Sequence, residues 1–162
     1  MYIEKYWGSY IGGSDDSLTL LDYLIDKQKE EITLSEIFSD TGLDKLKWNF
    51  TTTEPGLCYK DRNGMEHEVY FAIDLVTDLA ALMLECQVNG SVSIGKLRND
   101  EDSPNVRILS TDEEKESMNK ALADFIQNPL DYDLSEMVPD EGMRDMALEC
   151  ECIRKELYTI PE

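Results

Sequence analysis

Asp74-Leu75-Val76-Thr77-Asp78-Leu79-Ala80-Ala81-Leu82-Met83-Leu84-Glu85-Cys86-Gln87-Val88 is the stretch on which the fold turns. Read as a helix, it sets Leu75, Val76, Leu79, Leu82, Met83 and Cys86 at recurring three- and four-residue spacings. Its Ala-Ala-Leu-Met-Leu-Glu centre also favours helix by propensity. Read as a strand, it turns at Asn89-Gly90 into a second strand over 92–97. A two-residue hairpin there pairs Cys86 with Ser93 and Leu84 with Gly95, so Val92 and Ile94 face Gln87 and Glu85. That register mixes apolar and polar faces. A helix with Gly90 just past its carboxyl end is the preferred reading.

Upstream of this stretch the patterns are mainly of strands. Residues 2–7 place Tyr, Ile, Tyr and Trp at β-favouring positions and read as a first strand. A glycine loop, Gly8-Ser9-Tyr10-Ile11-Gly12-Gly13-Ser14, leads to a helix over about 16–27, capped by Ser14 or Asp16. Leu18, Leu21, Leu24 and Ile25 form its expected core stripe. Thr33-Leu34-Ser35-Glu36 is a capping-box pattern opening a short helix that ends near Gly42. Residues 45–53 alternate Leu46, Trp48 and Phe50 with Lys45, Lys47 and Asn49, as a strand with one buried face would. Strands at 57–60 and 65–73 flank the turn Asp61-Arg62-Asn63-Gly64.

Downstream, helices take over. A short strand at 106–109 precedes a helix capped by Ser110 or Thr111 that runs to about Gln127. Residues 130–138 form an irregular acidic connector to a last helix over about 140–158, with Met143, Met146, Ala147, Cys150, Ile153 and Leu157 on one stripe. The expected class is α+β: a mostly antiparallel, meandering sheet in the first two thirds, with helices packed on it and dominating the final third. No repeat or flexible linker divides residues 1–162, so a single domain is expected.

Fifteen lysines and arginines stand against 35 aspartates and glutamates, a formal charge of −20 on 162 residues. Such a chain repels phosphate backbones and anionic lipid heads, which argues against nucleic acid or a membrane surface as direct partners. No apolar run is long enough to span a bilayer, and the first residues lack a secretory signal, so a cytoplasmic location is expected. Cys58, Cys86, Cys150 and Cys152 are scattered and read as reduced thiols. Cys150 and Cys152, two apart on a helix, point to opposite sides, and His67 is the single imidazole, so no zinc site is expected.

No catalytic constellation emerges. The glycine loop lacks a phosphate-binding lysine, and Asp15-Asp16 at the following helix entrance would repel an anion. Neither 13–17 nor 100–102 matches the ligand spacing of a calcium loop. No serine or cysteine is linked to His67 by its sequence context. The chain therefore reads as a non-enzyme without a cofactor.

The acids are unevenly spread. Residues 1–98 hold 17 acids and 9 bases, whereas residues 99–162 hold 18 acids and 6 bases. Solubility requires a net magnitude of only about 2–8 in a small domain. Much of the surplus lies in three clusters: Asp100-Glu101-Asp102, Asp112-Glu113-Glu114, and Asp131, Asp133, Glu136, Asp140 and Glu141. The first two clusters with Asp131, Asp133 and Glu136, together with Asp15 and Asp16 and with Tyr10 and Tyr132 as aromatic anchors, are the candidate contacts for a basic partner.

Trp7-Gly8-Ser9-Tyr10-Ile11-Gly12-Gly13-Ser14-Asp15-Asp16-Ser17-Leu18, followed by a Leu/Tyr helix, resembles the start of small immunity proteins from bacterial polymorphic-toxin systems. Ile73-Asp74-Leu75-Val76-Thr77-Asp78-Leu79-Ala80-Ala81-Leu82 is similar in style. The resemblance implies a cytoplasmic antidote to the toxin domain of a contact-dependent growth inhibition effector or a related one, often a nuclease. The inhibitor would be a monomer or weak dimer that covers the substrate-binding surface of a basic nuclease such as an RNase. The alternative is an acidic adaptor, or a nucleic-acid mimic, acting on a basic housekeeping protein.

Overall fold

The computed structural model describes residues 1–53, 56–100, 103 and 105–158. The deciding stretch is helical, running Ala72–Asn89 and ending at Gly90, whose φ of 84° lets its N–H reach the Cys86 carbonyl at 2.8 Å. In chain order the elements are α1 (Asp15–Lys27), β1 (Glu31–Thr33), α2 (Leu34–Thr41), β2 (Leu57–Lys60) and β3 (Glu66–Val69). Then come α3, the deciding helix, β4 (Val92–Ser93), α4 (Ile94–Arg98), β5 (Asn105–Leu109), α5 (Asp112–Gln127) and α6 (Asp140–Tyr158).

Every residue of α3 from 72 to 85 is buried. A helix apolar on all sides belongs inside a fold rather than on its surface. The amino-terminal turn, α1, α6, β4 and β5 pack around it. α6 covers one side of it, and α5 packs antiparallel on α6: Arg154 of α6 donates to Asn119 of α5 at 2.7 Å, while Tyr132 of the connector meets Phe125 at the far end of α5.

The class is α+β, but sheet does not dominate the first two thirds. Helix, including 3-10 turns, covers 61% of the described residues and strand 12%, so the framework is helical. The strands form two small sheets, one ordered β1-β5-β4 and the other the hairpin β2-β3. β1 runs parallel to β5, with Ile32 opposite Ile108, and β4 runs antiparallel to it. The hairpin pairs Tyr59 with His67 around the expected Asp61–Gly64 turn.

Two expected strands are not strands. Residues 2–5 form a 3-10 turn, because Glu85 of α3 takes the Ile3 N–H at 3.0 Å and Glu156 of α6 takes the Tyr2 and Tyr6 hydroxyls. Residues 43–46 form a second 3-10 turn. Lys47 and Trp48 then adopt positive φ of 52° and 66°, folding Trp48 and Phe50 back against Phe38. Aromatic packing overrides the alternation there. The strand expected over 65–73 is shorter, Glu66–Val69, since α3 begins at Ala72. On α1, Leu21 and Leu24 are buried as expected, but Leu18 is 44% exposed.

The caps fall where expected. Ser14 and Ser17 form a reciprocal capping box on α1, Thr33 caps α2, and Thr111 and Glu114 box α5. Met143, Met146, Ala147, Cys150 and Ile153 are the buried stripe of α6. All four cysteines are free thiols.

Leu79 is fully buried at the centre of α3. Leu79→Ala should cost about 2–5 kcal/mol through lost burial and a cavity. Urea denaturation should show a lower midpoint at an unchanged slope.

Candidate functional site

The glycine loop is fastened to α3 by carboxylates. Asp78, fully buried, accepts the Gly12 N–H at 2.8 Å and the Ser17 hydroxyl at 2.6 Å. Gly12 has φ of +82°, and a Cβ there would lie 2.2 Å from the Trp7 ring. That position needs glycine on both counts. Asp16, also buried, accepts the Tyr70 and Phe71 N–H groups at 2.8 and 2.9 Å. Those donors lie at the entrance to α3, whose N-cap residue Phe71 offers no side-chain cap. The first helical N–H, that of Ala72, goes to the Thr53 hydroxyl oxygen at 3.0 Å.

Asp74 completes a buried trio of carboxyls with Asp16 and Asp78. It lines a recess of about 140 Å³ between the glycine loop and the side chains of Leu134, Val138 and Met146. Burial pushes the Asp78 carboxyl up to about 7, against the pull of its Ser17 and Gly12 donors. Burial, then the charges of Asp78 and Asp16, push Asp74 well above the usual carboxylate range. Burial raises Asp16 too, and its two backbone N–H bonds oppose that rise.

Tyr10 is the exposed tip of the loop, at 39%. Its ring packs on α6 at Gly142, where a Cβ would stand 2.8 Å from the hydroxyl. Ser9 beside it donates to Glu149 of α6 at 2.9 Å. The loop therefore bridges α3 and α6 and holds Tyr10 at the surface.

The acidic candidates separate into inner and outer groups. Asp15, Asp112, Glu113, Asp131 and Glu136 are exposed, and Glu114 is half-buried with its carboxylate on the Thr111 N–H. Asp133 is half-buried; one carboxylate oxygen accepts the Thr53 N–H and hydroxyl, while the other is buried without a partner. Asp100 is half-buried, and its N–H bonds Gly95. Glu101 and Asp102 lie outside the described residues. Two candidates face inward and need correction as surface contacts. Asp16 holds the α3 entrance, and Tyr132 is 3% exposed, edge-on to Phe125, with its hydroxyl on Asp124 at 2.5 Å.

The outer acids do not share one face. Because α5 and α6 are antiparallel, Asp112–Glu114 sit a helix length from the connector. Sixteen residues at 1.5 Å each make that roughly 24 Å. At the connector end, Tyr10 lines the Asp74 recess with Leu134 and Val138, and Asp133 holds Thr53. At the other end, Glu113 and Glu114 join Asp44 and Trp48 around a second cavity.

The sequence reading missed Asp74, Asp78 and the Asp44–Trp48 pair. Asp74 and Asp78 had a usable signal: two carboxylates four residues apart inside an otherwise apolar run. Asp44 and Trp48 had none, because their meeting with α5 is purely tertiary. Among the described residues, no group of His, Cys, Asp or Glu is arranged to hold a metal ion, and no helix is long and apolar enough to cross a membrane.

Comparison of the chain with protein-family models settles its class: it is an immunity protein of a toxin system. It belongs to the immunity protein 68 family, whose model matches residues 2–157 and so takes in both the glycine loop and α6. Searches of curated proteins and of solved structures found no match.

The raised carboxyls set a pH dependence. A buried acid binds its proton more tightly when folded, so stability is full below the unfolded value near 4 and falls as pH rises through about 7 for Asp78 and higher for Asp74. Asp74→Asn, which keeps a donor toward Asp16 and cannot ionise, should flatten the upper part of that decline. Urea midpoints measured from about pH 5 to about pH 9 should converge at the acid end and favour the variant at the alkaline end.

Proposed function

We propose that this chain neutralises a basic toxin domain, a nuclease, by covering its substrate-binding surface with exposed carboxylates. The family supplies the toxin-immunity role; the distribution of ion pairs supports the acidic mode. Among the described residues from 103 to 158, the carboxylates in ion pairs are Glu116, Glu151 and Glu156. The exposed carboxylates of Asp112, Glu113, Asp131, Glu136, Asp140, Glu141 and Asp145 are in none. Charges left unneutralised within the chain are available to steer and orient a cationic partner.

In this reading carboxylates stand where substrate phosphates would lie, and the bulk of the chain excludes RNA or DNA. Tyr10 anchors one end, with Asp15, Asp131, Asp133 and Glu136 contributing charge from the loop and connector; Asp112, Glu113 and Glu114 engage from the other end. Asp16 and Tyr132 act through the fold rather than by touching the partner. Inhibition is stoichiometric and without turnover, by a cytoplasmic monomer or weak dimer that protects the producing cell in contact-dependent growth inhibition or a related system.

The co-encoded toxin domain, inactivated by mutation, provides the test. Calorimetry should find one-to-one binding that weakens at least about tenfold between low and high salt. Asp131→Lys combined with Glu136→Lys should lower affinity at least about tenfold at low salt while leaving the thermal midpoint within a few degrees. Binding indifferent to both salt and charge reversal would remove the acidic mechanism.

A further inference from the structure

We infer that the cavity between α2 and the amino end of α5 is a receptor for an arginine side chain presented by the toxin domain. The inference rests on the reading of a basic partner and specifies what that partner inserts at one point. The cavity measures about 400 Å³, within the rough 300–1,000 Å³ span of small-ligand pockets. Phe38 and Trp48 form an aromatic wall, their ring centroids 4.8 Å apart at 45°. Asp44, Glu113 and Glu114 supply carboxylates, and three serines supply hydroxyls. Among the described residues no lysine or arginine lines it.

The carboxylates are not all engaged within the chain. Glu114 is bound to the Thr111 N–H at 2.8 Å, but the side chains of Asp44 and Glu113 take part in no hydrogen bond or ion pair among the described residues. Lys45 and Lys47 neighbour Asp44 and Trp48 in sequence, yet neither lines the cavity or pairs with these acids. The α5 amino end contributes a partial positive charge of about half a unit, which the three carboxylates exceed.

An anion is repelled by this composition, and an apolar side chain would strand the carboxylates. A metal ion lacks a convergent ligand set among the described residues. A guanidinium meets both halves of the site, since its plane stacks on an aromatic face and its fork pairs with carboxylate oxygens. Trp48 and Phe38 thus face the stem and plane of the arginine, while Asp44 and Glu113 take its charge.

The indole N–H signals of Trp48 and Trp7 in the ¹⁵N-labelled full chain read this directly. N-acetyl-arginine amide should give a saturable shift at Trp48 and not at Trp7, and N-acetyl-norleucine amide should give none. Asp44→Asn combined with Glu113→Gln should weaken the arginine response at least about tenfold without disturbing the rest of the spectrum. A response absent in the wild type, equal in the double variant, or larger for N-acetyl-lysine amide overturns the assignment. Binding to the inactivated toxin domain separates the two readings. If that domain binds wild type and double variant alike, the cavity inference falls and the basic-partner reading stands. If Trp48 responds to arginine but no basic toxin domain binds, the basic-partner reading falls, and with it the toxin as the source of the arginine; the cavity's affinity for a guanidinium stands alone.

Discussion

A helix enclosed on every side cannot carry a carboxylate unless something is brought to it. α3 carries three: Asp74, Asp78 and Glu85, each under 5% exposed. An unmet buried polar group costs several kcal/mol, so each carboxyl dictates where another segment must go. Glu85 draws in the amino-terminal turn through Ile3 and also meets Asn89. Asp78 draws in the glycine loop through Gly12 and the start of α1 through Ser17. Asp74 is met by Asp16, which in turn seals the entrance of α3. The arrangement around α3 is therefore set by hydrogen bonding as much as by apolar packing.

This explains which parts of the fold were legible. α1, α2, α5 and α6 each have a local pattern that no tertiary contact opposes, and three of them open on a side-chain cap. The 57–69 hairpin was legible for the same reason, its turn being held within itself by Asp61. Residues 2–5 and 43–50 failed because their decisive partners, Glu85, Glu156 and Phe38, are remote or off the alternation. β1 is three residues long and pairs in parallel with a strand more than 70 residues later. Neither its length nor its partner leaves a periodic trace.

The candidate site was legible in kind and not in arrangement. Composition locates the acids but does not divide them into buried and exposed. Asp15 and Asp16 are adjacent, yet one faces solvent and the other holds two backbone N–H groups. Tyr10 and Tyr132 look alike in an acidic, irregular context, but Tyr132 is taken inward by Phe125 and Asp124. The formal charge of −20 counts Asp74 as ionised, although its environment favours the proton. The field outside the molecule is therefore weaker than the formal count implies, and the exposed carboxylates contribute most of its negative part.

The inner and outer acids are connected by the glycine loop. Its inward side is fixed by Asp78 and its outward side by Gly142 and Glu149, so Tyr10 is held in place before any partner arrives. A side chain already fixed loses little conformational freedom on binding, and affinity gains by that amount. The exposed carboxylates are the opposite case: hydrated and, among the acids of α5 and the connector, mostly without an ion-pair partner in the chain. In the proposed mode they act during approach, where the sum of the charge matters more than the position of each. In the proposed mode, recognition divides accordingly, with a diffuse field set by the outer acids and a rigid point of contact at Tyr10 set by the buried ones.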